Sequence, residues 1–269
     1  MKINRLFSQA KDEHTLSASE IARFSNMPEN KLEIWESIDS TNTRAKMLAD
    51  ENREICCVLA DTQTAGRGKN GRHFFSPPGA GLYMSIILRT ALSPDVCMLL
   101  TPYAAVAVVS ALRAISPAEP GIKWVNDIYL HGKKVCGILT EPVFSQKKEI
   151  LSYAIIGIGI NIKKQTFPPE LSAIASSVEN EYSCQINRNR LAGEILRRLQ
   201  NPSAQQLKDC LPAYRKDQIL LGKKITVYRG NEVFPATALG ITEEGALLVQ
   251  TETDTFPVFC GEVTIRPES

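Results

Sequence analysis

Gly66-Arg67-Gly68-Lys69-Asn70-Gly71-Arg72 sets three glycines and three cations in seven positions, soon after an apolar run from Ile55 to Ala60. Glycine lets backbone N–H groups approach an anion with no side chain in the way, and the cations neutralise what arrives. The segment reads as a phosphate cradle, with a solvated basic loop as the competing reading of these residues alone. The residues after the loop decide which fold carries it. Gly66, Gly68 and Gly71 satisfy G-x-G-x-x-G, but a dinucleotide-binding fold needs a helix to begin there, and His73-Phe74-Phe75-Ser76-Pro77-Pro78-Gly79 cannot start one. A P-loop fails as well, because Arg72 and His73 stand where Lys and a Mg²⁺-binding hydroxyl are required.

The rest of the chain narrows the possibilities. Its 269 residues suit one to two domains, and 43% apolar with 22% charged residues is ordinary globular composition. A net charge of +2 supplies no general attraction to nucleic acid or membrane, so cationic function is local. The seven cysteines show no C-x-x-C spacing and read as buried hydrophobes of a reducing, cytoplasmic protein. The three histidines are too scattered for a metal cluster, no secretory signal is visible, and the most apolar stretch, Tyr103 to Leu112, is too short to span a bilayer.

Periodicity and turn chemistry organise the chain as α/β in the α+β sense. Residues 1–30 form an N-terminal extension with one short helical candidate, Ser17 to Phe24, and too little chain for a helix-turn-helix. Asp39-Ser40-Thr41-Asn42 looks like a helix cap, followed by Ala45, Leu48 and Ala49 at helical spacing. Strands are expected at Ile55 to Ala60, Leu82 to Arg89 and Leu151 to Ile162. A helix begins at Ser93-Pro94-Asp95 or at Thr101-Pro102 and runs to about Ile115. Ile128 to Leu130 and Val135 to Thr140 flank a His131-Gly132-Lys133-Lys134 turn and read as a β-hairpin. Helices are expected at Asn189 to Gln200 and Ala204 to Arg215. From about residue 220, short β-rich segments and turns such as Arg229-Gly230-Asn231 and Glu243-Glu244-Gly245 indicate a small barrel or sandwich. The expected division is 1–30, 31–219 and 220–269.

Three further segments give the loop its context: Lys123-Trp124-Val125-Asn126-Asp127, Lys134-Val135-Cys136-Gly137-Ile138-Leu139 and Gly157-Ile158-Gly159-Ile160-Asn161. With Asp39 to Asn42 and the glycine-rich loop, they resemble, in order and spacing, the biotin protein ligases. The resemblance runs from about Trp35 to Asn161, and the C-terminal β segments are similar to that family's small domain. It implies a mixed, largely antiparallel sheet like that of class II aminoacyl-tRNA synthetases, followed by an SH3-like β-barrel.

It also implies a two-step reaction, in which biotin and ATP form biotinoyl-5′-AMP and the acyl group then passes to a lysine of a biotin carboxyl carrier protein or domain. Bringing a carboxylate to a polyphosphate sets anion against anion, so cations and Mg²⁺ are needed where they meet. By the resemblance Lys134, Arg67 and Lys69 are the catalytic cations. Ser40, Thr41, Asn42, Gln63, Arg67, Gly68, Lys69, Lys134 and Gly137 hold biotin. Arg72, Asn126 and Asn161 serve the nucleotide, and Asp127 is the candidate Mg²⁺ contact. Capping alone also accounts for residues 40–42. The glycines at 137, 157 and 159 suggest close approach by a ligand, with β-bulges as the alternative. Trp124 reads as core and Lys133 as a solvated turn residue.

Lys69 stands where the family usually has arginine, Val125 where it usually has proline, and the DNA-binding domain of repressor-type members is not expected. A homodimer through an exposed strand edge is possible on this reading, with no specific nucleic acid and no membrane partner. Lipoate-type acyl ligation and non-catalytic binding of a small acid are the rival functions.

Overall fold

The structure, a computed structural model, describes residues 15–145, 150–229, 232–259 and 263–267. Strands β1 (Leu32–Ile38), β2 (Cys57–Gln63), β3 (Gly81–Leu88), β4 (Gly121–Lys123), β5 (Asp127–Leu130), β6 (Lys133–Phe144) and β7 (Leu151–Asn161) form one sheet in the order β1-β2-β3-β7-β6-β5-β4. β1 and β2 are parallel and every other neighbouring pair is antiparallel. The helices are α1 (Ala18–Ser25), α2 (Thr41–Asp50), α3 (Pro94–Cys97), α4 (Leu100–Ile115), α5 (Pro169–Ser172), α6 (Val178–Glu181), α7 (Arg188–Arg198), α8 (Ala204–Asp209) and α9 (Leu211–Lys216). Strands β8 (Lys224–Arg229), β9 (Glu232–Ile241), β10 (Leu247–Gln250), β11 (Thr255–Val258) and β12 (Val263–Pro267) make a second, antiparallel sheet in the order β11-β10-β9-β8-β12. This is the α+β architecture with a small β domain that the sequence leads one to expect.

Period-2 alternation gives the first sheet two different faces. Cys57, Leu59, Ile86, Leu88, Ala154 and Ile156 point into the main core with α4 and α7. Their alternates Val58, Ile87, Tyr153 and Ile155 pack against Ala45, Leu48 and Ala49 of α2. α1 joins the main core through Ile21 and lies so close to α7 that a Cβ on Gly193 would stand 2.3 Å from that of Phe24. Ser17 caps α1, so the helix expected at Ser17 to Phe24 is present one residue along.

Several expectations shift. Both proposed helix starts are used: Ser93-Pro94 opens α3, and α4 follows from Leu100. Together they form a helical run of 22 residues, Pro94–Ile115, long and apolar enough to cross a membrane by length and composition, where the sequence suggested a stretch too short. Its most apolar window is 72% buried inside the protein, so here it serves as a core helix. The helix expected at Ala204 to Arg215 is divided into α8 and α9. Pro212 falls in the first turn of α9, where its missing N–H costs nothing, whereas inside a continuous helix it would remove a hydrogen bond. The hairpin turn is tighter than expected: His131 (φ 44°) and Gly132 (φ 81°) form a two-residue turn, and β6 already begins at Lys133. Of the turn expected at Arg229-Gly230-Asn231, residues 230–231 lie outside the described residues.

Two bonds tie the second sheet to the rest of the chain, from Trp124 and Arg215, and a third, from Tyr214 of α9, fixes the segment beside Trp124. Trp124 Nε1 donates to the buried carbonyl of Gly245 (3.0 Å), Tyr214 Oη to that of Val125 (2.8 Å), and Arg215 Nε to that of Ile241 (2.9 Å). Gly245 (φ +80°) also approaches Leu99 and Pro102 near the start of α4. Trp124→Phe keeps most of the ring's packing and strands a buried carbonyl. It should lower the unfolding free energy by about 1–3 kcal/mol. Urea unfolding checks this, and unchanged stability would mean that the bond does not anchor the small β domain.

Candidate functional site

A cavity of about 700 Å³ opens at the N-terminus of α2, over the sheet face that α2 covers. That volume lies within the usual range for small-molecule sites. Strand alternation supplies the floor. On β7, Tyr153 and Ile155 lie under α2, and the next residues on that face are Gly157, Gly159 and Asn161, all lining the cavity. On β3 the same parity carries Ile87, Ser85 and Tyr83, and on β6 Val143, Glu141, Leu139 and Gly137. Continued without interruption, β6 would turn Lys134 away. The β5–β6 ladder instead pairs Ile128 with Cys136 and Tyr129 with Lys134, leaving Val135 as an extra residue. This bulge shifts the alternation by one and puts Lys134 beside Gly137, where an added Cβ would stand 3.2 Å from Lys134 Nζ.

The glycines at 157 and 159 correct the expectation of ligand approach or bulging. Both pair regularly with β3 and β6, and what comes close is the chain itself. A Cβ on Gly157 would meet Asn42 Oδ1 at 2.0 Å, and one on Gly159 would meet the Phe74 ring at 2.5 Å.

One end of the cavity is a closed polar network. Ser40 caps α2, as the sequence suggests, and Gln63 Oε1 accepts from Thr41 N (2.9 Å) and Thr41 Oγ1 (3.0 Å). Gln63 Nε2 donates to Ser76 Oγ (3.1 Å). Ser85 Oγ donates to Asn42 Oδ1 (2.5 Å), and Asn42 Nδ2 to Glu141 Oε2 (2.7 Å). Ser40, Thr41 and Asn42 are all buried. Of the three only Ser40 is the cap, and capping does not account for Thr41 and Asn42, the first two residues of α2, whose side chains bond to Gln63, Ser85 and Glu141.

The glycine-rich segment forms the rim. It folds back on itself through Gly68 N to Arg72 O (2.7 Å) and Phe74 N to Gly66 O (2.9 Å), with a 3-10 turn at Lys69–Gly71. Arg67, Gly68, Lys69 and Arg72 line the cavity, and Arg67 is paired with Glu141 (2.9 Å). Across from them Lys134 Nζ pairs with Asp127 Oδ1 (2.7 Å). The Lys134 backbone is clamped from the side opposite β5, its N–H donating to Ile174 O and its carbonyl accepting from Ser176 N (both 2.9 Å). Asn126 Nδ2 donates to Ile138 O (2.8 Å) and Asn161 Nδ2 to Ser176 O (3.1 Å), which leaves the buried Asn161 Oδ1 without a partner at the cavity wall. Burial, with the Asp127 charge adding to it, pushes the Tyr129 hydroxyl up to about 12, so it stays protonated near neutral pH. Among the described residues Asp127 is the only carboxylate lining the cavity, and no group of three or more His, Cys, Asp or Glu could hold a metal ion.

Every site residue expected from the sequence lies on this one cavity. Trp124 is core, as expected, and lines the cavity as well. Sequence reasoning missed Ser85, Glu141, Phe74 and the wall from Phe167 to Ala175. Ser85 left a signal, a serine in the middle of a fully buried apolar strand. Phe74 left none.

Residues 34–161 match the family described as the biotin/lipoate A/B protein ligase family, and residues 220–266 match the biotin protein ligase C-terminal domain. The chain is 35% identical to the bifunctional ligase/repressor BirA of Bacillus spizizenii, over 85% of this chain and 72% of that protein. It is 28% identical to the biotin–[acetyl-CoA-carboxylase] ligase of Mycobacterium tuberculosis, over 87% and 88% of the two chains. Among solved structures, the biotin protein ligase of Aquifex aeolicus in complex with biotin and ATP superposes with a TM-score of 0.72 at 26% identity, covering 88% of this chain and 99% of that one.

The contact between Gly157 and Asn42 is directly testable. Gly157→Ala should cost about 1–3 kcal/mol, because the new methyl displaces a buried carboxamide. Adding Asn42→Ala should recover part of that loss, a non-additivity expected only of residues in contact. Chemical denaturation of the two single variants and the double variant measures it. Strictly additive losses would show that the two side chains do not meet.

Proposed function

The chain belongs to the biotin protein ligase family, and from that premise we propose that it activates biotin with ATP and transfers it to one lysine of a biotin carboxyl carrier domain. In the first step a biotin carboxylate oxygen attacks the α-phosphorus and pyrophosphate leaves. In the second the carrier lysine attacks the acyl carbon of biotinoyl-5′-AMP, AMP leaves, and the amine loses a proton as the amide forms. The observation that carries this reading is the convergence of the loop cations, Lys134, residues 40–42 and both asparagines on one cavity.

The two ends of the cavity suit the two halves of the adenylate. Biotin's ureido ring offers two N–H donors and a carbonyl, and burying any of them unpaired costs about 1–3 kcal/mol. Ser40, Thr41, Asn42 and Gln63 meet them at the polar end. At the other end Asn161 Oδ1, buried without a partner, is an acceptor for the adenine amino group. Asn126 and Arg72 face the phosphates. Lys134 and Arg67 are each held by a carboxylate of the protein and share their charge with the arriving carboxylate and α-phosphate. Lys69 adds a point charge to the rim, where arginine would offer a two-pronged fork.

Mg²⁺ enters this reading with the nucleotide. A single lining carboxylate fits an ion bound mainly by substrate phosphates and water, and Asp127 is the residue that would hold it. When bound, Mg²⁺ neutralises the polyphosphate against the incoming anion. Six free thiols among the described residues support a cytoplasmic setting, and the outer edge of β1, paired only to β2 among the described strands, is the edge through which a homodimer would form.

Incubation with Mg²⁺, ATP, biotin and a carrier domain should add one biotinoyl group to one lysine, read by mass spectrometry. No addition, with a known ligase positive on the same acceptor, sinks the proposal. Incorporation of lipoate in place of biotin would instead favour the lipoate branch of the family. Lys134→Ala should abolish biotin-dependent pyrophosphate exchange without loss of fold. Lys133→Ala, on the opposite face of β6 from Lys134 and absent from the cavity lining, should stay close to wild type, because truncating such a side chain usually changes stability by no more than about 0.5 kcal/mol. Equal effects of the two substitutions would remove Lys134 from its role.

A further inference from the structure

We propose that Glu141 is a positioning residue of the biotin site, one carboxylate that sets both the Arg67 guanidinium and the Asn42 carboxamide. The inference rests on the biotin-ligase reading above. Glu141 sits on β6 four residues beyond Gly137, on the face that floors the cavity. Its two oxygens take a fork from Arg67, Nη2 to Oε1 at 2.9 Å and Nη1 to Oε2 at 3.3 Å. Oε2 also accepts from Asn42 Nδ2 at 2.7 Å.

The arrangement is too exposed to be a stability device. The side chains of Arg67 and Glu141 are 46% and 29% exposed, and ion pairs of that kind contribute little to folding. What the pair does contribute is geometry, since a planar fork fixes direction as well as distance. The loop's own hydrogen bonds close it on itself, and the Glu141 fork ties it to the sheet. Asn42 is pinned in the same way. Its oxygen takes the Ser85 hydroxyl and its nitrogen gives to Glu141, so the carboxamide cannot turn over without losing both bonds. It also lies against the Gly157 backbone, in space that any larger residue there would take from it. Glu141 therefore sets a cation of the rim and an amide of the ureido end at once. The nucleotide end, built on Asn126 and Asn161, is bonded to Ile138 and Ser176 and is independent of Glu141.

The test uses the full chain and Glu141→Gln, which keeps the shape but cannot accept from Arg67 and Asn42 together without presenting its own amide to a cation. Pyrophosphate exchange should show the biotin KM raised about tenfold, the effect of losing one charge-assisted contact, with the ATP KM little changed. Limited trypsin digestion should cut faster after Arg67, Lys69 and Arg72 and at unchanged rates elsewhere, a readout independent of activity. Glu141→Asp, which keeps the charge at shorter reach, should lie between the two and carries the test if Glu141→Gln melts early. In the Arg67→Ala background, Glu141→Gln should raise the biotin KM by less than it does alone. A biotin KM and loop cleavage equal to wild type, or equal rises in both KM values, would overturn the proposal. A wild-type chain with no biotin-dependent exchange would overturn the underlying reading and this inference with it.

Discussion

A β-strand shows each face of its sheet only every second residue, and that parity governs what this cavity contains. Three adjacent strands deliver Ser85, Glu141, Gly137, Gly157, Gly159 and Asn161 to one side because their registers agree. Lys134 has the wrong parity for that side, and the extra residue Val135 corrects it. The same bulge leaves Val135 in the main core and lets the Lys134 backbone bond to the segment at Ile174 and Ser176. A flexible residue's charge is thus carried on a backbone clamped from both sides.

The second organising element is electrostatic restraint. Two cations assigned to the chemistry, Arg67 and Lys134, are each held by a carboxylate from the sheet, Glu141 and Asp127. Unpaired cations beside a half-closed cavity would repel one another and take up many rotamers. The carboxylates lower that cost and preset the direction of each charge, so an anionic substrate meets cations that are already ordered instead of ordering free side chains.

Much of this was legible in the sequence because the signals were local. Cap residues, a hairpin turn around His131-Gly132, apolar runs and the glycine-rich loop are all written within a few neighbours, although the turn proved two residues long where four were expected. The division of the helix at Pro212 is also written locally, in the proline's missing N–H. Contacts across the fold were not. That Gly157 makes room for Asn42, 115 positions away by number, follows only from the register of β3, β7 and β6 beneath α2. Glu141 and Phe74 became site residues for the same reason, since nothing in their own neighbourhoods states which strand or loop they will face. The motifs led to the right cavity, and three-dimensional register supplied the residues that hold the motifs in place.

Trp124 belongs to two structures at once. Its ring lines the cavity, and its indole N–H holds the Gly245 turn of the second sheet. Free energy gained by filling the cavity is therefore not confined to the first sheet. Any ligand that favours the native placement of this ring also favours the native turn at Gly245, by the reciprocity that links two equilibria sharing one element. The small β domain, none of whose described residues lines the cavity, is in this way linked to the cavity through one shared side chain.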